Sequence, residues 1–166
     1  SVCAGLNRLC GIGPDKATVW SSSEPADTEL PFWNELFNLR VDSEVLTALA
    51  VLDDKLMVFT ERSVFVVIGQ PSDNTGNGNT MTVQSVSSDV GCIDPRSVVS
   101  SSVGVWFQAV DGIYLVDRSL QVTPIGRAVQ DELTSYPVIT SACVIDRDRE
   151  VRFTLQATEA ATTGIV

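Results

Sequence analysis

The chain has 166 residues, of which 44% are hydrophobic, so it is long enough to bury the core of one domain. Its formal net charge is -10, from 21 acidic and 11 basic residues. A surface this negative repels phosphate groups, which argues against ordinary nucleic-acid binding. No apolar run approaches the roughly 20 residues that a membrane-spanning helix needs, so the sequence predicts no membrane segment.

Histidine is absent, which removes the usual general base of serine and cysteine hydrolases and the commonest metal ligand. The four cysteines are Cys3, Cys10, Cys92 and Cys143, and their spacing contains no CxxC motif. Because cysteine packs as a small apolar side chain, we predict that all four are reduced and buried. A bridge between Cys3 and Cys10 is the alternative.

The first unit begins with two strands, Asn7–Gly13 and Ala17–Ser21, which a turn at Pro14–Lys16 connects. Residues 21–30 are polar and are predicted to form a loop. The aromatic-rich segment Pro31–Phe37 is predicted to be a short helical turn or an irregular plug that seals the core. Its alternative role is an aromatic surface that binds a partner or stacks on a sugar.

The second unit contains a strand at Val45–Val51, a turn at Asp53-Asp54 and a hairpin spanning Leu56–Val67. The polar insertion Gly69–Thr80 follows and is predicted to be an exposed loop before the strand Thr82–Val86. From Asp73 to Gln84 this insertion approximates a calcium-binding loop. Thr75 stands where that motif requires Asp or Asn, and Gln84 stands where it requires a bidentate glutamate. We therefore predict a solvated loop.

The third unit opens with a strand at Ser97–Ser101 and continues into the hairpin of residues 103–117. Asp111-Gly112 forms its turn, because glycine takes positive φ at no steric cost. Ile125, Val129 and Leu133 recur every four residues, which predicts a short helix at about 126–135. The fourth unit has strands at 138–145 and 150–155.

Phe59, Phe107 and Phe153 lie at the centres of three similar hairpins, at nearly regular intervals. Four short strands in every 40–50 or so residues is the period of a β-propeller blade. The predicted fold class is therefore all-β, a β-propeller of four-stranded antiparallel blades, with about three blades and a partial one. The blade units are 1–44, 45–95, 96–136 and 137–166, the last incomplete. Residues 1–166 are accordingly expected to be part of a single propeller domain in a longer chain.

Candidate catalytic groups are few. The acidic pairs Asp53-Asp54 and Asp131-Glu132 lie outside apolar surroundings that would perturb a carboxylate, so both are interpreted as solvated. Gly11-Ile12-Gly13 lacks the third glycine and the helix of a dinucleotide-binding loop. We therefore predict no enzyme, and no catalytic, cofactor-binding or metal-binding residues. A propeller enzyme of the kelch type would need metal ligands or a base that this sequence does not supply.

Three segments, Leu49–Val67, Val90–Asp117 and Ile125–Phe153, resemble the β-propeller tail proteins of short-tailed bacteriophages. These include tail nozzle or tail-tube proteins and packaged-DNA stabilisation proteins. The resemblance implies a structural virion protein, assembled in the host cytoplasm and located in the tail. Its implied partners are other copies of itself in a ring, the head–tail adaptor, other tail proteins, and packaged DNA that passes through without specific binding. An acidic channel lining that repels this DNA is a further hypothesis.

A different class of function remains open. The Gly69–Thr80 loop and the Phe32-Trp33 pair are the features from which a propeller binding module would recognise carbohydrate or a host receptor.

Overall fold

The protein consists of four antiparallel β-sheets that follow one another along the chain. The computed structural model describes residues 1–25, 30–41, 44–147, 149–157 and 163–165. The first sheet contains β1 (Val2–Gly5), β2 (Arg8–Ile12), β3 (Thr18–Ser21) and β4 (Leu39–Arg40). The second contains β5 (Leu46–Leu52), β6 (Lys55–Thr60), β7 (Val64–Ile68) and β8 (Thr82–Ser87). The third contains β9 (Val99–Ser101), β10 (Gly104–Ala109), β11 (Gly112–Asp117) and β12 (Val122–Pro124).

The fourth sheet contains β13 (Val138–Ile145), β14 (Glu150–Gln156) and β15 (Thr163–Ile165), three strands within the described residues. In every sheet each strand pairs with its neighbour in sequence, which is the simple up-and-down order of a blade. The prediction of an all-β fold built from four-stranded antiparallel blades is confirmed.

In the described residues, helical structure is limited to short segments between strands. The predicted helix at 126–135 is present as a 3₁₀ turn at Gly126–Val129 followed by α1 (Gln130–Ser135). The strand predicted from Ser97 begins instead at Val99, because a 3₁₀ turn occupies Pro95–Ser97. The Asp94 side chain caps this turn by accepting a hydrogen bond from the Arg96 backbone N–H at 2.8 Å.

The first strands of the four sheets share a common edge. β1 contacts β5, β5 contacts β9, and β9 contacts β13. None of these four strands contains a charged residue. The acidic lining hypothesised from the net charge is therefore absent from this edge, and most acidic residues of the described chain lie in turns, loops and short helical segments.

The core is divided into three layers, one between each pair of successive sheets. The layer between the second and third sheets includes Met57, Phe59, Val105, Phe107 and Tyr114. The layers on either side contain Leu56, Val58 and Val67 in one case, and Ile113, Phe153 and Leu155 in the other. The second and third sheets are thus covered on both faces, which explains why their central strands are almost continuously apolar.

The phenylalanine alignment that suggested the repeat is wrong by one residue. The rings of Phe59 and Phe107 face each other across the layer between two sheets, with centroids 5.0 Å apart. Two-residue turns precede both β6 and β10. When positions are counted from these turns, Phe107 is equivalent to Val58 and not to Phe59. Since side chains alternate between faces, a shift of one residue places Phe59 on the opposite face of its sheet.

Candidate functional site

Two long loops form one continuous surface at one end of the first and second sheets. The described parts of residues 22–38 and 69–81, here called the loop pair, connect the third and fourth strands of these sheets. The backbone N–H of Glu24 donates to Asn74 Oδ1 at 2.8 Å, and Asn74 Nδ2 donates to the Glu24 carbonyl at 3.3 Å. The structure therefore joins the two segments that the sequence suggested as a recognition surface.

A buried arginine anchors the loop pair from below. Arg8, at the start of β2, has only 3% of its surface exposed. Its guanidinium donates to the carbonyl of Ser22 at 2.8 Å and to the carbonyl of Ser72, one in each loop. It lies 3.6 Å from the Glu24 carboxylate and 5.0 Å from the centre of the Phe37 ring. Sequence reasoning missed this residue, because its partners are far away in the chain.

The aromatic segment is divided between core and surface. Phe37 ends a 3₁₀ turn that Asn34 caps, and its ring is buried under Arg8. The sealing role predicted for Pro31–Phe37 applies to Phe37 and not to the other large apolar side chains of the segment. The exposed fractions of those side chains are 43% for Phe32, 45% for Trp33 and 64% for Leu36. Exposed aromatic rings beside polar amides are chemically suited to stacking on a sugar or a partner protein.

The polar half of the loop pair is held by Asp73. Its Oδ1 accepts hydrogen bonds from the Thr75 hydroxyl at 2.6 Å and from the backbone N–H groups of Thr75 and Asn77, both at 2.9 Å. The Thr75 hydroxyl contributes most to lowering the pKa of the Asp73 carboxyl, followed by the Asn77 N–H. One carboxylate oxygen is thus already committed to the turn. Among the described residues, no three His, Cys, Asp or Glu side chains gather in a group suited to a metal.

We expect millimolar calcium to leave the melting temperature of the protein unchanged, because binding would have to compete with these three hydrogen bonds on Asp73. The measurement is differential scanning calorimetry in calcium chloride and, as a control, in sodium chloride at the same ionic strength. A rise in melting temperature specific to calcium, and lost in Asp73→Ala, would contradict the interpretation of 69–80 as a loop without bound metal.

Comparisons with protein-family models and with curated proteins give no match for this chain. The resemblance to phage tail proteins therefore stays a prediction from the sequence. Across the described parts of the chain, no helix has the length and apolar character required to cross a membrane.

The acidic pairs lie apart from the loop pair's aromatic side chains and from each other. Asp53-Asp54 forms the turn between β5 and β6, where Asp54 contacts Lys55 at 2.7 Å and Asp53 contacts Arg118 at 3.4 Å. Asp131 and Glu132 lie exposed in the first turn of α1. Gly11-Ile12-Gly13 ends β2 and is followed by a turn and another strand. Their positions give no reason to bring any of them into a shared site.

The prediction that all four cysteines are buried is wrong in part. Cys10 and Cys92 are buried and Cys3 is half-buried, but Cys143 is exposed, and all four are free thiols. Cys143 pairs with Arg152 on the face of the fourth sheet that is turned away from the core layer. Burial raises the pKa of Cys92 to about 11.

Proposed function

We propose that this protein is a structural component of a bacteriophage tail, in which its stacked sheets form part of a β-propeller in the nozzle or tail tube. The observation that carries the proposal is the outward face of the first sheet, which is apolar and largely exposed, with the Trp33 ring lying beside Gly11. On this face, Val2 is 71% exposed and Leu9 is 42% exposed.

The repeat shows what such a face normally contacts. Each of the first two sheets has a two-residue turn between its first and second strands, so Leu9 corresponds to Leu56 and Gly11 to Val58. Leu56 and Val58 are both buried against the first sheet. The third sheet buries Val105 and Phe107 against the second in the same way. An apolar blade face of this kind is a surface for packing against another sheet.

The opposite end of the stack is chemically different. The outward face of the fourth sheet includes Ser141, Cys143, Arg152 and Thr154, with Arg152 paired to Glu150 at 2.8 Å. A polar face of this kind suits solvent or a polar contact, whereas the face around Leu9 requires an apolar partner. This asymmetry supports a building block that joins a larger assembly in one direction.

In a tail, the protein would contact other copies of itself in a ring, the head–tail adaptor and other tail proteins, with packaged DNA passing through. The absence of charged residues from the common edge fits a role for this edge in packing between blades. The acidic loops at the two ends would then be the groups nearest to any nucleic acid, which they would repel.

We expect Leu9→Asp to abolish the incorporation of the protein into purified tails while leaving its folding intact. A carboxylate on this face would be desolvated on assembly without a partner charge, whereas in the free protein it stays hydrated. Immunoblots of purified particles measure incorporation, and circular dichroism measures folding. Leu36→Asp is the matched control, because Leu36 is an exposed leucine in the loop pair.

Incorporation of Leu9→Asp at the wild-type level would contradict the role of this face in assembly. Absence of the wild-type protein from purified particles would contradict the tail function itself.

A binding module for carbohydrate or a host receptor is the second candidate, and the loop pair is the observation that favours it. Exposed Phe32 and Trp33 share this surface with the asparagines of the 69–80 loop. A glycan array that gives a hit with the wild type, and none with Trp33→Ala, would support this function. The Leu36→Asp variant would then impair ligand binding and leave particle assembly unchanged.

A further inference from the structure

Cys3 and Cys10 lie directly opposite each other in the hairpin of β1 and β2. The hairpin turns through Leu6 and Asn7, both with positive φ, at 54° and 57°. Positive φ at both central residues is the signature of a type I′ turn, which fixes the register of the two strands. The pairing of the two cysteines is therefore determined by the local fold.

The Cα separation expected for the pair lies within the range of disulfides. The Ile12 N–H donates to the Ser1 carbonyl at 3.3 Å, and hydrogen-bonded pairs alternate along an antiparallel ladder, so Cys3 and Cys10 form such a pair. Opposite residues in these pairs have Cα atoms about 5.5 Å apart. Disulfides are formed across Cα separations of about 4.4–6.8 Å.

The two thiols also interact with each other. Both side chains point into the layer between the first and second sheets, and each thiol affects the pKa of the other. The Cys3 thiol is the main cause that lowers the pKa of Cys10 to about 7, and the Ser21 hydroxyl and the positive charge of Arg8 act in the same direction, whereas Cys10 and burial raise the pKa of Cys3. The pair thus releases its first proton more readily than an isolated thiol.

We propose that Cys3 and Cys10 form a dithiol site that small disulfides, of the glutathione disulfide class, convert to a cross-strand disulfide. The half-buried Cys3 is the sulfur that the oxidant reaches. Once the pair has lost one proton, the remaining proton moves from Cys3 to Cys10, and the Cys3 thiolate attacks the external disulfide, which forms a mixed disulfide and releases one small thiolate. Cys10 then loses its proton and attacks the Cys3 sulfur, which releases the second small thiolate. The two protons of the dithiol end on the two small thiols, so the protein pair is oxidised as the external disulfide is reduced.

The remaining cysteines provide internal controls. Cys92 is buried, and its sulfur donates to the Asp94 carbonyl at 3.2 Å. Its raised pKa leaves very little thiolate near neutral pH. Cys143 is exposed, but the residue opposite it is Arg152, so no thiol can resolve a mixed disulfide there. Within the described chain, only the Cys3–Cys10 pair offers two opposed thiols.

The test uses the Cys143→Ser protein, incubated with glutathione disulfide near neutral pH and analysed by intact mass spectrometry. We expect a loss of about 2 Da without a glutathione adduct, because the two thiol hydrogens leave and the mixed disulfide is resolved. Non-reducing peptide mapping should recover Cys3 linked to Cys10 and Cys92 as a free thiol. We also expect the melting temperature of the oxidised form to rise by roughly 5 °C, since the bond restricts the unfolded chain, and to return on reduction.

The matched control is the Cys10→Ser, Cys143→Ser protein, in which Cys3 has no opposed thiol. Here the attack has no resolving thiol, so a stable adduct of one glutathione is expected. The proposal is overturned if the Cys143→Ser protein keeps its full mass, if it accumulates a glutathione adduct at Cys3, or if Cys92 reacts at the same rate.

Discussion

Phe107→Ala is expected to lower the free energy of unfolding by about 3–5 kcal/mol, the typical cost of removing a fully buried aromatic ring. The Phe107 ring lies in the layer between the second and third sheets, 5.0 Å from the ring of Phe59 and 6.0 Å from the ring of Tyr114. Its loss would leave a cavity in the apolar layer between the second and third sheets. Urea denaturation followed by circular dichroism measures the effect, provided that the denaturant dependence stays the same.

Phe32→Ala is the matched control, because its ring lies partly exposed in the loop pair. This variant should lose less than about 1 kcal/mol. The double variant with Phe59→Ala adds a second readout: coupling of about 0.5–1.5 kcal/mol is expected for rings in direct contact. Near-wild-type stability of Phe107→Ala, or strict additivity with Phe59→Ala, would contradict the packing of the two sheets through these rings.

The sequence was sufficient to predict the parts of the fold that depend on local signals. Asp111-Gly112 marks a hairpin turn, and the spacing of Ile125, Val129 and Leu133 marks the short helix. In both cases the interactions that determine the structure are made between residues close together in the sequence. The strand boundaries near Val99 were less accurate, because the Asp94 side chain redirects the chain into a 3₁₀ turn.

The phenylalanine repeat failed for a reason specific to β structure. The turns after β6 and β10 have the same length, since Phe59 pairs with Val64 and Gln108 pairs with Ile113, so Phe59 corresponds to Gln108, although the apolar runs place it against Phe107. An alignment of the hairpins by their apolar runs therefore slips by one position. In a helix such a slip rotates a side chain partway round the axis, but in a strand it exchanges the two faces.

The candidate site was predicted in its parts and not as a whole. The Phe32-Trp33 pair and the 69–80 loop were both recognised from composition, but their contact through Glu24 and Asn74 joins residues distant in sequence. Arg8 gave no signal, since an arginine after a turn is ordinarily exposed. Its burial depends on carbonyl groups that only the folded chain brings together.

Arg8→Met is expected to lower the free energy of unfolding by about 2–5 kcal/mol, because the carbonyls of Ser22 and Ser72 would lose a buried charged donor. Methionine preserves most of the side-chain volume, so the effect reports the lost hydrogen bonds more than a cavity. The contact with Glu24 adds little, since that carboxylate is half-exposed. Arg8→Lys should not restore stability, because a single ammonium lacks the fork that reaches both loops.

The matched control for Arg8→Met is Arg152→Met, which removes a half-exposed arginine that pairs with Glu150 and should cost no more than about 1 kcal/mol. Limited proteolysis gives an independent readout: Arg8→Met should expose the 69–80 loop to cleavage, and Arg152→Met should not. Equal stability of the two variants would contradict the anchoring role. Because Arg8 holds both loops and does not lie on the outward face around Leu9, its loss should also separate the two candidate functions. Ligand recognition by the loop pair should fail well before assembly through that face does.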